Sequence, residues 1–154
     1  MEEKKRLSNQ LIGSAGEYFV AGELARHGLV AALTVAGTDS FDILAVNNDT
    51  GETFAIQVKT TKDKGSTWLL SAKDEETRAS HYVFVRLNGE ALPEYYVVRA
   101  REVAQTIRKG HEVWMSTPGR DGAPRKENNL REFRIAEHDG RYYRRWDYFQ
   151  EEVR

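Results

Sequence analysis

Apolar and polar positions fall into blocks along the chain, and the most informative block spans residues 39–61. Two apolar runs, 41–46 (Phe-Asp-Ile-Leu-Ala-Val) and 54–58 (Phe-Ala-Ile-Gln-Val), flank a polar stretch, 47–52, that holds Asn, Asp, Thr and Gly. Turns use those residue types, so the pattern predicts strand, loop, strand: a β-hairpin. With 48–51 as the loop, Asn47 faces Glu52 and Asp42 falls opposite Gln57. Side chains alternate faces along a strand, so Gln57 and Lys59 share one face while Ile56 and Val58 take the other. Opposed residues share a face, which adds Asp42 to Gln57 and Lys59. A slip of one residue would separate the three.

The rest of the chain reads in order around this hairpin. Residues 8–28 form a predicted helix, with Ser8 or Asn9 to cap it and Gly28 to end it. Leu11, Ile12, Ala15 and Phe19 mark an apolar stripe, and Val20 and Leu24 extend it. Glu17 lies beside that extension. Gly13, Gly16 and Gly22 each cost a helix about 1 kcal/mol relative to Ala, so close packing on a sheet or a later helix start is expected. A short strand is expected over 29–35, a turn over 36–40, a charged loop over 62–66 and a strand over 67–70. Residues 72–80 are polar and read as a short helix or a loop. The run 81–87 (His-Tyr-Val-Phe-Val-Arg-Leu) reads as a core strand, Asn88-Gly89 as a turn and 94–98 as the next strand. Val103 and Ile107 mark a helix over 99–111. An irregular loop (117–129), a late strand (130–135) and a C-terminal helix (141–153), with Tyr142, Trp146 and Phe149 inward, complete the pattern. Helices interspersed among strands predict an α/β three-layer sandwich, a mixed sheet with helices on both faces.

Composition narrows the class. The chain has 154 residues, 40% hydrophobic and 31% charged, which suits one soluble domain over 1–154. It has no cysteine, which excludes disulfides and thiolate metal sites. No apolar run reaches the length of a membrane span, and the start lacks a secretory signal, so a cytoplasmic location and no membrane partner are expected. Twenty-three Lys and Arg against 24 Asp and Glu give a net charge of −1. That balance does not advertise a nucleic-acid binder, although local patches matter more than the total.

A Glu on the first helix, an Asp heading a strand and Gln-x-Lys ending its hairpin partner together resemble the PD-(D/E)XK, or restriction-endonuclease-like, nuclease superfamily. Gly13-Ser14-Ala15-Gly16-Glu17 is similar to the helix motif of small Holliday junction resolvase-like members. The resemblance covers residues 8–61. It implies that Asp42 binds a divalent metal, Mg²⁺ or Mn²⁺, with Glu17 and Gln57 as further ligands, and the need for hard oxygen donors adds the Val58 carbonyl as another candidate. It implies that Lys59 serves the attacking water and the phosphate. Gln57 stands where an acid is most often found, in a Gln-x-Lys variant, and Phe41 replaces the motif proline. Asp39 is an additional candidate ligand. DNA, structured or double-stranded, is the implied partner, and a homodimer is the implied assembly.

The chemistry is consistent with that set. Mg²⁺ takes hard oxygen ligands and usually only one or two protein carboxylates. An amide at 57 offers an oxygen without charge, so metal binding should be weaker or catalysis lost. Each residue also has an ordinary role: Asp42 as a strand-start hydrogen bonder, Lys59 as a solvated lysine, Gln57 as a buried hydrogen bonder, Glu17 as a helix-surface acid with Glu23 as its competitor, and Asp39 as a turn residue. His27, His81, His111 and His138 lack ligand spacing. Three functions remain open: a metal-dependent DNA endonuclease, a nuclease-fold module that no longer cuts and binds nucleic acid or regulates, and an α/β domain whose polar hairpin has no chemistry.

Overall fold

The computed structural model describes residues 6–35 and 41–150. Helix α1 (Asn9–Arg26) leads into β1 (Leu29–Leu33), β2 (Ile43–Asn47) and β3 (Thr53–Thr61). After β4 (Thr67–Ser71) and a 3-10 turn (Ala72–Glu76) come β5 (His81–Arg86), β6 (Glu94–Arg99), helix α2 (Ala100–Ser116) and β7 (Leu130–Arg134). The central sheet has the order β1-β2-β3-β5-β6. It is mixed: β3 and β5 run parallel, and every other neighbouring pair is antiparallel. Strands β4 and β7 pair with each other in a separate two-stranded ribbon.

The alternation of each strand sends side chains into two cores. Ile43, Ala45, Ile56, Val58, Val83 and Val97 point to the side where Val20 and Leu24 of α1 pack, together with Trp146 and Phe149. Tyr82, Phe84, Tyr96 and Val98 point to the opposite side, where α2 adds Val103 and Ile107 and the ribbon adds Trp68, Leu70 and Phe133. Each fully buried aliphatic or aromatic side chain contributes roughly 1.5–3 kcal/mol. The result is the expected α/β sandwich: a mixed sheet between layers carrying one helix each, with the ribbon sharing the second outer layer. Among the described residues, no helix is long and apolar enough to cross a membrane.

Helix α1 starts as its sequence signals say. Ser8 accepts the Leu11 N–H at 3.2 Å, and Gly28 leaves the helix end with φ of +84°. Its buried line, however, is Gly16, Val20 and Leu24, whereas Leu11 and Phe19 are exposed. The smallest side chain on the helix marks the closest approach to the sheet, so the contact face is rotated away from the bulkier stripe. Helix α2 runs five residues beyond the expected end, to Ser116 rather than His111.

The C-terminal segment corrects the sequence expectation. Residues 141–150 form turns and a short 3-10 segment (Trp146–Phe149), not an α-helix, and 151–154 lie outside the described residues. Tyr142, Trp146 and Phe149 are buried as expected. Arg144 adopts a φ of +52°, and its N–H bonds to Tyr95 O while Tyr142 O accepts from Val97 N. Sheet-edge hydrogen bonds and core aromatics thus outcompete helix formation here. The Asn47 side chain also donates to Phe149 O at 3.0 Å.

His81 gives this core a pH dependence. Its ring lies among Phe54, Phe149 and Tyr148, and burial, then the nearby Arg99 charge, lowers its pKa to about 4. The unfolded state binds the proton first, so His81 favours the native state fully above pH 6.5 and progressively less as pH falls toward 4. The expected loss is roughly 3 kcal/mol across that window. Urea unfolding of wild type and His81→Phe between about pH 4 and 7.5 checks this: the variant should show a flatter profile.

Candidate functional site

The hairpin register is the one the loop residues imply. Ile43 pairs with Ile56, Leu44 with Ala55, Ala45 with Phe54 and Val46 with Thr53. Gly51 closes the turn with φ of +72°, and the Asn47 side chain accepts the N–H groups of Asp49 and Thr50. Asp42 therefore lies across from Gln57.

Strand β3 is longer than its partner. Among the described residues its ladder to β2 stops at Ile56, whose carbonyl still accepts the Asp42 N–H at 2.9 Å, while residues 57–61 pair only with β5. This leaves one edge of β3 open. Asp42 fills part of it. Its Oδ2 accepts the Val58 backbone N–H at 2.7 Å and the Gln57 Nε2 at 2.8 Å. A carboxylate here substitutes for a missing strand, satisfying a backbone donor that would otherwise be unpaired.

Helix α1 closes over the same edge. A Cβ on Gly16 would lie 1.8 Å from Thr60 Oγ1, so only glycine permits this approach. The next residue, Glu17, is thereby brought close enough to Asp42 for their charges to interact. Desolvation, and then repulsion from Asp42, raises the Glu17 pKa. Desolvation also raises the Asp42 pKa, opposed by the Val58 N–H and by Lys59, and reinforced by Asp74. Thr60, the residue that Gly16 meets, also lines a cleft of about 350 Å³ with Thr61, Lys62, Asp63, Arg6 and Asn9.

Lys59 follows Gln57 on the same face. Its Nζ lies 3.2 Å from Asp74 Oδ1 and 3.4 Å from Oδ2. Asp74 was hidden in the polar tract 72–80. Its signal was local: Ser71-x-x-Asp74 has capping spacing, and the carboxylate accepts the Ser71 N–H at 2.8 Å. Tyr82 also donates to it, at 2.7 Å, a contact that spacing does not reveal.

Glu17, Asp42, Gln57 and Lys59 thus gather at one end of the sheet, half-buried and open to solvent, and Asp39 lies outside the described residues. The donor set suits a hard divalent cation: both carboxylates are pushed toward protonation, Glu17 by desolvation and Asp42, and Asp42 chiefly by its own desolvation, and each gains from a positive ion nearby. The Gln57 amide donates through Nε2, which leaves its oxygen as the atom able to face a cation. A second acidic group, Glu94, Glu137 and His138, has ligand atoms within 4.8 Å of one another on the far part of the sheet. Glu94 there is already paired with Arg86 at 2.7 Å and with His138 at 3.0 Å.

No protein-family model matches the sequence, and no curated protein matches it. Among solved structures, the chain is similar to a bacterial homing endonuclease at 14% identity, with a TM-score of 0.53 over 93% of this chain and 92% of that one. It is also similar to the Holliday junction resolvase of the archaeal hyperthermophile Archaeoglobus fulgidus, at 19% identity and a TM-score of 0.45 over 79% and 83% of the two chains. With a mixed central sheet, two helices and the open edge of β3 among its described residues, the chain has a restriction-endonuclease-like fold.

Proposed function

We propose that this protein is a divalent-metal-dependent DNA endonuclease that hydrolyses phosphodiester bonds. The observation that carries the reading is the meeting of Glu17, Asp42, Gln57 and Lys59 at the open edge of β3, on a fold whose similar structure is a nuclease. Glu17, Asp42, the Gln57 amide oxygen and the Val58 carbonyl are the proposed ligands for Mg²⁺ or Mn²⁺. When bound, the cation supplies Lewis acidity and lowers the pKa of water. The chain's own residues do the rest. The Val58 N–H and Gln57 Nε2 fix the orientation of Asp42. Lys59 sets a positive charge where negative charge grows on the phosphoryl oxygens, a preorganised interaction that favours the transition state over the bound substrate. Arg6 and Lys62 in the adjoining cleft suit flanking phosphates.

With an amide in place of a third acid, metal affinity is low, and activity rises over the millimolar range of Mg²⁺. The reading includes one domain, a cytoplasmic location and double-stranded or structured DNA as substrate. It also includes a homodimer: Val30 and Leu44, on one face of β1 and β2, expose apolar surface that a second copy can cover. The alternative is a catalytically inactive module that binds nucleic acid or regulates. It is favoured by the uncharged Gln57 and by the engagement of Asp42 and Lys59 in internal contacts.

The test is cleavage of linear duplex, single-stranded, flap and four-way-junction DNA with Mg²⁺, with Mn²⁺ and with chelator. Metal-dependent products from wild type but not from Asp42→Ala are expected, and the preferred DNA form names the substrate. Retained DNA binding with no product on any form, from a folded protein, would move the assignment to the binding module.

A further inference from the structure

The crossover that joins the two parallel strands, β3 and β5, passes through β4 and the 3-10 turn at 72–76 and returns an acidic side chain to the site. Asp74 is 7% exposed and meets hydrogen-bond donors on several sides. Oδ2 accepts from the Ser71 N–H at 2.8 Å and from Ser71 Oγ at 3.3 Å, and Oδ1 accepts from the Tyr82 hydroxyl at 2.7 Å. Tyr82 is itself fixed. It is fully buried in the interior strand β5, directly beside Gln57 in the parallel register, and its ring stacks on Phe84 with centroids 5.8 Å apart. Burial raises the pKa of its hydroxyl, which keeps it a donor. The carboxylate is therefore a rigid acceptor built into the core before Lys59 reaches it.

Lys59 is the opposite kind of group, an ammonium on a flexible four-carbon stem. Its contacts at 3.2 and 3.4 Å to the two Asp74 oxygens confine it on the face that carries Asp42 and Gln57. An ammonium has three N–H donors, and Asp74 engages at most two of them. We propose that Asp74, anchored by Ser71 and Tyr82, is a positioning residue that holds the Lys59 ammonium at the site with a donor to spare for the substrate phosphate. What Lys59 does there rests on the nuclease reading; where it is held does not. Capping of the 3-10 turn is a second role for the same carboxylate, and it predicts a loss of stability without a change at Lys59.

The experiment reads position and activity separately. The ¹⁵Nζ–¹Hζ NMR signal of Lys59 is recorded in wild type, Asp74→Asn and Tyr82→Phe, and single-turnover cleavage is measured on the same samples and on Lys59→Ala with and without Asp74→Asn. Asparagine keeps an acceptor for Ser71, so the turn is retained. The expected result is an ordered Lys59 signal in wild type that is lost in Asp74→Asn and weakened in Tyr82→Phe. The maximal rate falls about 100-fold, as for a misplaced catalytic group, while half-saturation by DNA changes little. Asp74→Asn then adds nothing in the Lys59→Ala background, because both changes remove one interaction. An unchanged Lys59 signal in Asp74→Asn, or losses that multiply in the double variant, overturns the proposal. Should Asp74→Asn not fold, an unchanged signal in Tyr82→Phe overturns it. A wild type that cuts nothing refutes the nuclease reading, and the NMR comparison still decides whether Asp74 holds Lys59.

Discussion

Lys59→Ala is expected to cleave DNA between about 10² and 10³ times more slowly than wild type at saturating metal, the loss typical of removing one preorganised charge stabiliser. The effect falls on the maximal rate. The ammonium acts on charge that develops in the transition state, and uniform substrate binding comes from the wider surface. Stability changes less. Asp74 loses its cation but keeps its bonds to Ser71 and Tyr82, and the pair is partly open to solvent, so a cost of about 2 kcal/mol is expected. Lys59→Arg restores little, because a planar guanidinium does not place its donors as an ammonium does. Single-turnover kinetics with thermal melts on the same samples provide the check. A Lys59→Ala rate within about threefold of wild type would remove Lys59 from the reaction.

Gly16→Ala is the change expected to damage the scaffold most. The added Cβ would meet Thr60 Oγ1 at 1.8 Å and the Thr60 Cβ and Cγ2 at 2.9 Å. Turning the Thr60 side chain relieves the oxygen contact but not the contact with its Cβ, so α1 must lift from β3. Overpacking of this kind costs about 3 kcal/mol. Glu17 moves with the helix, so cleavage falls as well. Thr60→Ala removes two of the three nearest atoms and should recover part of both losses. Gly13 and Gly22 lie in the same helix, and a Cβ at either would meet no heavy atom within 4 Å. Alanine there should stabilise by up to about 1 kcal/mol through helix propensity. Urea midpoints of the three variants separate the accounts: equal effects at 13, 16 and 22 would mean that the helix does not touch the strand as described.

Much of this arrangement is written locally. The turn residues between Asn47 and Glu52 set the register that puts Asp42 across from Gln57, because loop length and alternation leave little freedom once the turn is known. The polar Gln57 in an apolar strand marked itself by needing a partner, which Asp42 supplies. Glu17 required a longer inference. Its position depends on the Gly16–Thr60 contact between elements far apart in sequence; Val20 and Leu24, beside which it lies, mark the buried face, whereas Leu11 and Phe19 of the same stripe are exposed. Asp74 was illegible as a site residue because its bonds to Lys59 and Tyr82 exist only after the crossover has folded back over β3. The C-terminal segment misled for a related reason. The spacing of Tyr142, Trp146 and Phe149 fits a helix, but the core and the edge of β6 supply the partners that turn it into a series of tight bends.

The central claim is that Glu17, Asp42 and Gln57 form a divalent-cation centre, and Mn²⁺ binding followed by electron paramagnetic resonance tests it most directly. One bound Mn²⁺ per chain is expected, displaced by Mg²⁺ in the millimolar range, abolished in Asp42→Ala and weakened in Glu17→Gln. Tighter binding is expected in Gln57→Glu, where a carboxylate replaces the amide. Wild-type protein that binds no Mn²⁺, or Mn²⁺ binding untouched by Asp42→Ala, would contradict the claim.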